Sequence, residues 1–208
     1  MKPIKTKTSE RDLSPEKTEA ILEGAMKEFL ERGFAATTMD RVAAAAGVSK
    51  ATVYSHFQDK EGLFAALTQR LVQKKFQTIF GSTDAQVFQA EPEIVLRHLA
   101  NTALNAGVDD PQFFNFMRLV IGESGRFPEV AQAFVRNIEK TAFGNLRFYF
   151  ESSPKLKLRD PEATARIFIG ALVHYMIVQE MLHGKDIVPM ERDRLIDTLI
   201  ELVTSQAG

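Results

Sequence analysis

Apolar residues recur along this chain at spacings of three and four, the period of a helix with one buried face. Ile21, Leu22, Ala25, Met26 and Phe29 form the first stripe. Ser14 is placed to cap that helix, Pro15 to occupy its first turn and Gly33 to stop it. A short segment from Met39 to Ala46 ends at Gly47, a second runs from Ser49 to about Gln58, and a third, from about Lys60 to Phe80, carries Leu63, Phe64, Leu67 and Leu71 on one side. After a polar stretch at 81–86, read as a linker, Pro92 opens a helix with Ile94, Val95, Leu96 and Leu99. Asp109-Asp110-Pro111, and then Gly122 to Pro128, punctuate the next pieces. From Pro128 a long helix is expected to bury Phe134, Ile138, Ala142, Leu146 and Phe150 until the polar run at 152–161 breaks it. Two further helices are expected, Pro161 to about His183 and Pro189 to about Thr204. No window alternates as a strand does, so the predicted class is all-α.

Composition narrows the function. The 208 residues include no cysteine and no tryptophan, with 26 Lys and Arg against 27 Asp and Glu for a net charge of -1. Zero cysteine removes disulfide scaffolds, thiolate metal sites and Cys nucleophiles. The longest nearly uncharged apolar stretch, Ile167 to Val178, is well short of the roughly 20 residues a membrane span needs. The opening MKPIKTKTSERD lacks the apolar core of a secretory signal, so a cytoplasmic protein with no membrane partner is expected. Residues 1–13 read as a flexible basic arm, through Lys2, Lys5, Lys7 and Arg11. A near-zero net charge gives no global pull toward nucleic acid, so any such binding must come from local geometry.

That geometry is available between Met39 and Phe57. A helix-turn-helix needs a small residue where its helices cross, a turn residue that tolerates left-handed dihedrals, and apolar residues pinning the second helix to the first. Ala43, Gly47 and the set Val42, Ala46, Val48 and Val53 supply these in turn. Ser49 is placed to cap the second helix, whose positive dipole end attracts phosphate. With Val53 and Phe57 inward, Lys50, Ala51, Tyr54 and Ser55 turn to solvent, and Thr52 and His56 flank them. Ala51 permits close approach; Lys50 can reach a guanine edge or a phosphate. Thr52 and Ser55 can hydrogen-bond or touch a thymine methyl, and the Tyr54 hydroxyl can reach the backbone. The same face also fits a solvated helix surface in a bundle that never meets DNA.

The run TTMDRVAAAAGVSKATVYSHFQDKEGLFAAL resembles the signature of the TetR/AcrR family of transcriptional regulators. The resemblance rests on Thr37-Thr38, Val42-Ala43, Ala46-Gly47-Val48-Ser49, Tyr54, His56-Phe57 and Lys60-Glu61-Leu63, and covers Pro15 through Leu67. It implies a recognition helix in the major groove of an operator duplex, with phosphates held by Thr38, Tyr54, His56 and Lys60 beside Thr37. The expected organisation is then a helix-turn-helix domain at 14–60, a connecting helix at 61–80, and a ligand-binding and dimerisation domain at 81–208. Counting to Lys60, ten Lys and Arg stand against nine Asp and Glu, so the head is not a basic block.

The second half carries a weaker resemblance, to an AefR-like subgroup, through Arg118-Leu119, Glu123 and Arg126-Phe127-Pro128-Glu129. It implies an all-helical domain that takes a small effector and pairs its last two helices with those of a second copy. The expected effector is apolar or aromatic, because aromatic and Met side chains can line an apolar cavity. The expected lining is Phe113, Phe116, Met117, Phe143 and Tyr175, with His98, Arg118, Glu123, Asn145 and His174 as polar anchors. A Phe stripe at helical spacing also fits plain core. The helix from Pro161, apolar around most of its girth with Gly170 and Ala171 for close approach, suits a buried or dimer position. The Glu180–His183 spacing reads as a helix-end pair near a Gly184 cap rather than a metal site. No phosphate loop, nucleophile elbow or catalytic triad is legible, so neither an enzyme nor a cofactor is expected. The other reading kept open is a helical ligand-binding or interaction protein whose helix-turn-helix does not read DNA.

Overall fold

The computed structural model describes residues 14–81, 87–108 and 110–205. The arm expected at 1–13 and residues 82–86 of the expected linker lie outside them. The helices are α1 (Pro15–Ala36), α2 (Met39–Ala45), α3 (Lys50–His56), α4 (Lys60–Phe76), α5 (Pro92–Val108), α6 (Pro111–Glu123), α7 (Pro128–Ile138), α8 (Gly144–Ser152), α9 (Pro161–Tyr175) and α10 (Arg192–Thr204). Among the described residues there is no strand, and no helix is long and apolar enough to cross a membrane. The chain divides into two compact units between Leu67 and Thr68. The division falls inside α4.

The first unit closes on three rings. Phe29, Phe34 and Phe64 are essentially buried, with centroids 5.2 to 5.7 Å apart, two of the pairs edge-to-face. Each such burial contributes roughly 1.5–3 kcal/mol, and the edge-to-face geometry suits the ring quadrupoles. Gly33, at φ 77°, breaks the helical run of α1 in the left-handed region, after which one short turn carries Phe34 inward. The carbonyls freed there are not wasted: the Thr37 hydroxyl donates to Glu28 O at 3.0 Å or Gly33 O at 2.8 Å.

The second unit buries Val95, Leu96 and Leu99 of α5, Leu146 and Phe150 of α8, and Phe168 and Leu172 of α9 in one core with Ile196 and Leu199 of α10. Asp110 and Asp160 cap α6 and α9, accepting from Phe113 N–H at 3.0 Å and Ala163 N–H at 2.9 Å. The expected long helix from Pro128 is α7 and α8 joined through a π-helical stretch, Glu139–Phe143. Similar stretches extend α4 (Gln77–Gly81) and α9 (Met176–Met181). The last helix starts at Arg192 rather than Pro189. Arg192 fixes that start by donating to Asn105 Oδ1 at 2.7 Å and to Asn101 O at 2.8 Å. The expected Gly184 cap also shifts by one residue: His183 takes the left-handed conformation, φ 54°. Gly184 is needed instead because a Cβ there would lie 2.7 Å from Val178 O.

Candidate functional site

The turn between α2 and α3 is built by hydrogen bonds around Gly47. Val48 N–H donates to Ala43 O at 3.0 Å and Gly47 N–H to Ala44 O at 3.2 Å, the pairing that closes a helix when the residue after its cap is left-handed. Gly47 is at φ 66°. Thr38 caps α2, accepting from Arg41 N–H at 3.3 Å; Ser49 caps α3, accepting from Thr52 N–H at 3.1 Å. Val53 is fully buried behind α3. Lys50, Ala51, Tyr54 and Ser55 are exposed, and Thr52 and His56 half-buried. The helix therefore offers a short polar face, with Tyr54 46% exposed and the Lys50 ammonium 5.9 Å from its ring centre.

Three expected contacts have duties inside the unit. Thr37 is buried, and its hydroxyl is spent on the α1 carbonyls. Lys60 donates to Phe34 O at 2.7 Å and Ala35 O at 3.3 Å, and sits 4.4 Å from the Phe34 ring centre. His56 Nδ1 meets the Thr18 hydroxyl at 2.9 Å, which ties α3 to α1. Thr37 thus leaves the exposed set. Lys50 carries an unexpected partner: its ammonium lies 2.7 Å from Asp40 Oδ1 and 2.9 Å from Oδ2. The hydrogen bond and charge of Asp40 raise the Lys50 pKa above the usual lysine value. Gly24 of α1 also escaped the sequence reading. A Cβ on it would fall 2.8 Å from Ala46 N and 3.0 Å from Ala46 Cβ, so α1 meets the turn backbone to backbone. A lone Gly inside an apolar helical stripe was the signal for it.

The second unit holds an apolar cavity of about 190 Å³. Its wall includes Val72, Lys75 and Phe76 of α4, Phe113 and Met117 of α6, and Phe168 of α9. All three π-helical stretches border it, through Ile79, through Thr141 and Ala142, and through Met176, Ile177 and Met181. An extra residue per turn re-aims side chains, and such insertions recur at functional sites. Of the expected lining, Phe113 and Met117 face the cavity. Phe116 is buried elsewhere. Phe143 lines a separate crevice beside Arg166. Arg118 donates to Asn115 Oδ1 at 2.8 Å and Met181 O at 2.9 Å, and Asn145 to Thr141 O at 2.7 Å. Tyr175 packs on the core, His174 is exposed, and neither His98 nor Glu123 reaches the cavity wall. Among the described residues the wall's polar side chains are Lys75 and Thr141, both missed. Lys75 pairs with Asp110 Oδ2 at 2.9 Å. Burial pushes the Asp110 carboxyl up, but hydrogen bonds from Lys75 and Phe113 N–H and the charges of Lys75 and Lys74 outweigh it and hold the pKa below the usual value.

The helix-turn-helix and the helical unit beyond it both match known families. Residues 21–67 match the model of bacterial regulatory proteins of the tetR family. Residues 94–205, more than half the chain, match that of the AefR-like transcriptional repressor C-terminal domain. The chain belongs to the TetR family. This TetR-family protein is a DNA-binding transcriptional regulator, as are its relatives. It is 27% identical over 192 residues to the HTH-type transcriptional regulator YhgD of Bacillus subtilis, across 90% of this chain and 94% of that protein. To the repressor AcnR of Corynebacterium efficiens it is 39% identical over 59 residues, 28% of this chain and 31% of AcnR. Among solved structures, the flavonoid-responsive regulator FrrA aligns with a TM-score of 0.77 at 27% identity, covering 92% of this chain and 97% of its own. TetR-family regulators are not enzymes, in keeping with the expectation from sequence.

Proposed function

We propose that this regulator is a repressor acting in the cytoplasm, a homodimer released from a near-palindromic operator by a small, largely apolar effector. The observation that carries the reading is the exposed face of α3, held outward by buried Val53 and by the Ser49 cap. Lys50, Ala51, Thr52 and Ser55 read base edges, while Thr38, Ser49, Tyr54 and His56 position the phosphates; Lys60 acts indirectly, by holding the end of α1. The repressor sign draws on the name of the matching C-terminal family and on AcnR. An aromatic effector is in keeping with the apolar cavity and with the flavonoid response named for FrrA. Dimerisation is assigned to α9 and α10. Ile167 stands 62% and Leu202 57% exposed, and a Cβ on Gly170 would meet open space, which leaves an apolar face for a second copy. If effector favours the conformer with mis-spaced heads, DNA affinity falls by the same coupling factor.

The test is an anisotropy titration of a duplex from the upstream region with wild type and Tyr54→Ala, repeated with excess nonspecific duplex. Tyr54→Ala should bind at least about tenfold more weakly, while sedimentation shows the same dimer. Unchanged affinity would remove Tyr54 from the interface, and a monomer at micromolar concentration would remove the symmetric reading.

A further inference from the structure

Among the described residues the wall of the apolar cavity holds one cation, and that cation is already taken. Lys75 has three donors and three partners: Asp110 Oδ2 at 2.9 Å, a short bond to Ala106 O, and the Phe113 ring, 5.0 Å from ammonium to centroid. Thr141, the other polar side chain on the wall, donates back to Asn137 O at 2.7 Å. Lys75 and Ala106 border two spaces at once, the cavity and a surface cleft on which Asp110 also lies. Asp110 lines only the cleft, so it draws the ammonium to the cleft side and leaves the cavity Lys75's stem. Asp110 is itself held in place, accepting from Phe113 N–H as the cap of α6.

We infer that Asp110 sets the chemical class of the effector: by occupying Lys75 it restricts the cavity to uncharged apolar molecules and keeps carboxylates out. The inference rests on the proposed reading of this cavity as the effector site. A carboxylate entering an apolar cavity loses its hydration and must find a cation to replace it. Here it would have to take Lys75 from Asp110, leaving a second, partly buried carboxylate without its partner, so the exchange yields no net ion pair. An alcohol or hydrocarbon of the same length meets no such demand. An aliphatic pair that differs only at its head group isolates this term.

The test is calorimetric titration of the full chain with octan-1-ol and with octanoate, in wild type, Asp110→Asn and Lys75→Met. Asn keeps the capping carbonyl oxygen for Phe113 N–H while removing the charge, and a thermal melt checks that each variant is folded. Wild type should bind octan-1-ol and bind octanoate at least tenfold more weakly. Asp110→Asn should gain at least tenfold for octanoate with octan-1-ol changed less than threefold. Lys75→Met should keep octan-1-ol and still refuse octanoate. Equal binding of both ligands by wild type, no gain in Asp110→Asn, or a gain in Lys75→Met each overturns the inference while leaving the cavity as the effector site. Binding of neither ligand by wild type overturns the effector-site reading itself, and the inference with it.

Discussion

The two units use the same material to opposite ends. In the first, three phenylalanines meet ring to ring; in the second, Phe76, Phe113, Phe114, Phe134 and Phe168 surround a cavity. Aromatic content therefore does not decide whether a helical unit is solid or hollow. What differs is how the helices approach and whether they stay regular. In the first unit Gly24 lets α1 touch the α2–α3 turn at backbone distance, and Phe29, Phe34 and Phe64 pack against one another. In the second, three helices widen into π-helical stretches, and each widened segment borders the void. A close-packed interior resists loss of volume, whereas a hollow one can gain it.

The sharpest way to break this contrast is to remove one ring from each unit. Phe29→Ala, which empties a site with no exposure, should cost about 3–5 kcal/mol. Phe113→Ala, half-buried beside an existing cavity, should cost less than half as much. Denaturant unfolding of both variants decides it, and equal losses would show that the second unit is as tightly filled as the first. Next in size is Gly24→Ala. In an ordinary helix interior that change stabilises by up to about 1 kcal/mol. Here the new methyl would press on Ala46 backbone, which no rotamer change can relieve, so a loss of about 1–3 kcal/mol is expected. Operator affinity should fall with it, because the displaced segment carries α3.

Filling the void should work in the other direction. Ala103 lines the cavity from α5, and Ala103→Leu should raise stability by about 0.5–1 kcal/mol. The same change should abolish octan-1-ol binding while leaving DNA affinity without ligand unaltered. A variant that is destabilised, yet still binds the alcohol, would place the ligand elsewhere.

The helices and the exposed face of α3 were legible because they depend on local rules: period, cap residues, and a Gly at a left-handed turn. Ser14 and Ser49 cap where the sequence places them, and Val53 is buried where the period turns it inward. The cavity was legible only as a tendency. Phe113 and Met117 reach it while Phe116, one residue away from Met117, does not, because neighbouring side chains on α6 point to different sides and a helix rotation of a fraction of a turn changes which one arrives. The polar anchors failed for a different reason. Arg118 and Asn145 are exposed, and each donates to a backbone carbonyl close by instead of turning to the cavity. Lys75 and Asp110 are 35 positions apart in sequence, and no local pattern pairs them.

The smallest expected effect returns to the recognition face, where the contrast between units is one of charge. The cavity's cation is committed to a carboxylate that is two-thirds covered, while Lys50 is paired with Asp40 in the open, with both side chains about 60% exposed. An exposed pair of this kind contributes little to stability, and water or phosphate can replace either partner. If Lys50 meets DNA as proposed, Asp40 competes for it without locking it. Asp40→Asn removes that competitor and one negative charge from a head whose net charge to Lys60 is only +1. Duplex affinity should rise about two- to fivefold at low salt, and the gain should shrink as salt screens the added charge. Nonspecific duplex should gain too, because the added positive charge attracts any phosphate chain, and the operator should gain more, because the freed ammonium also reaches a base edge there. A melting temperature within about two degrees of wild type would confirm that the pair was not holding α2 to α3. Weaker DNA binding by Asp40→Asn would instead show that Asp40 positions Lys50 for its target.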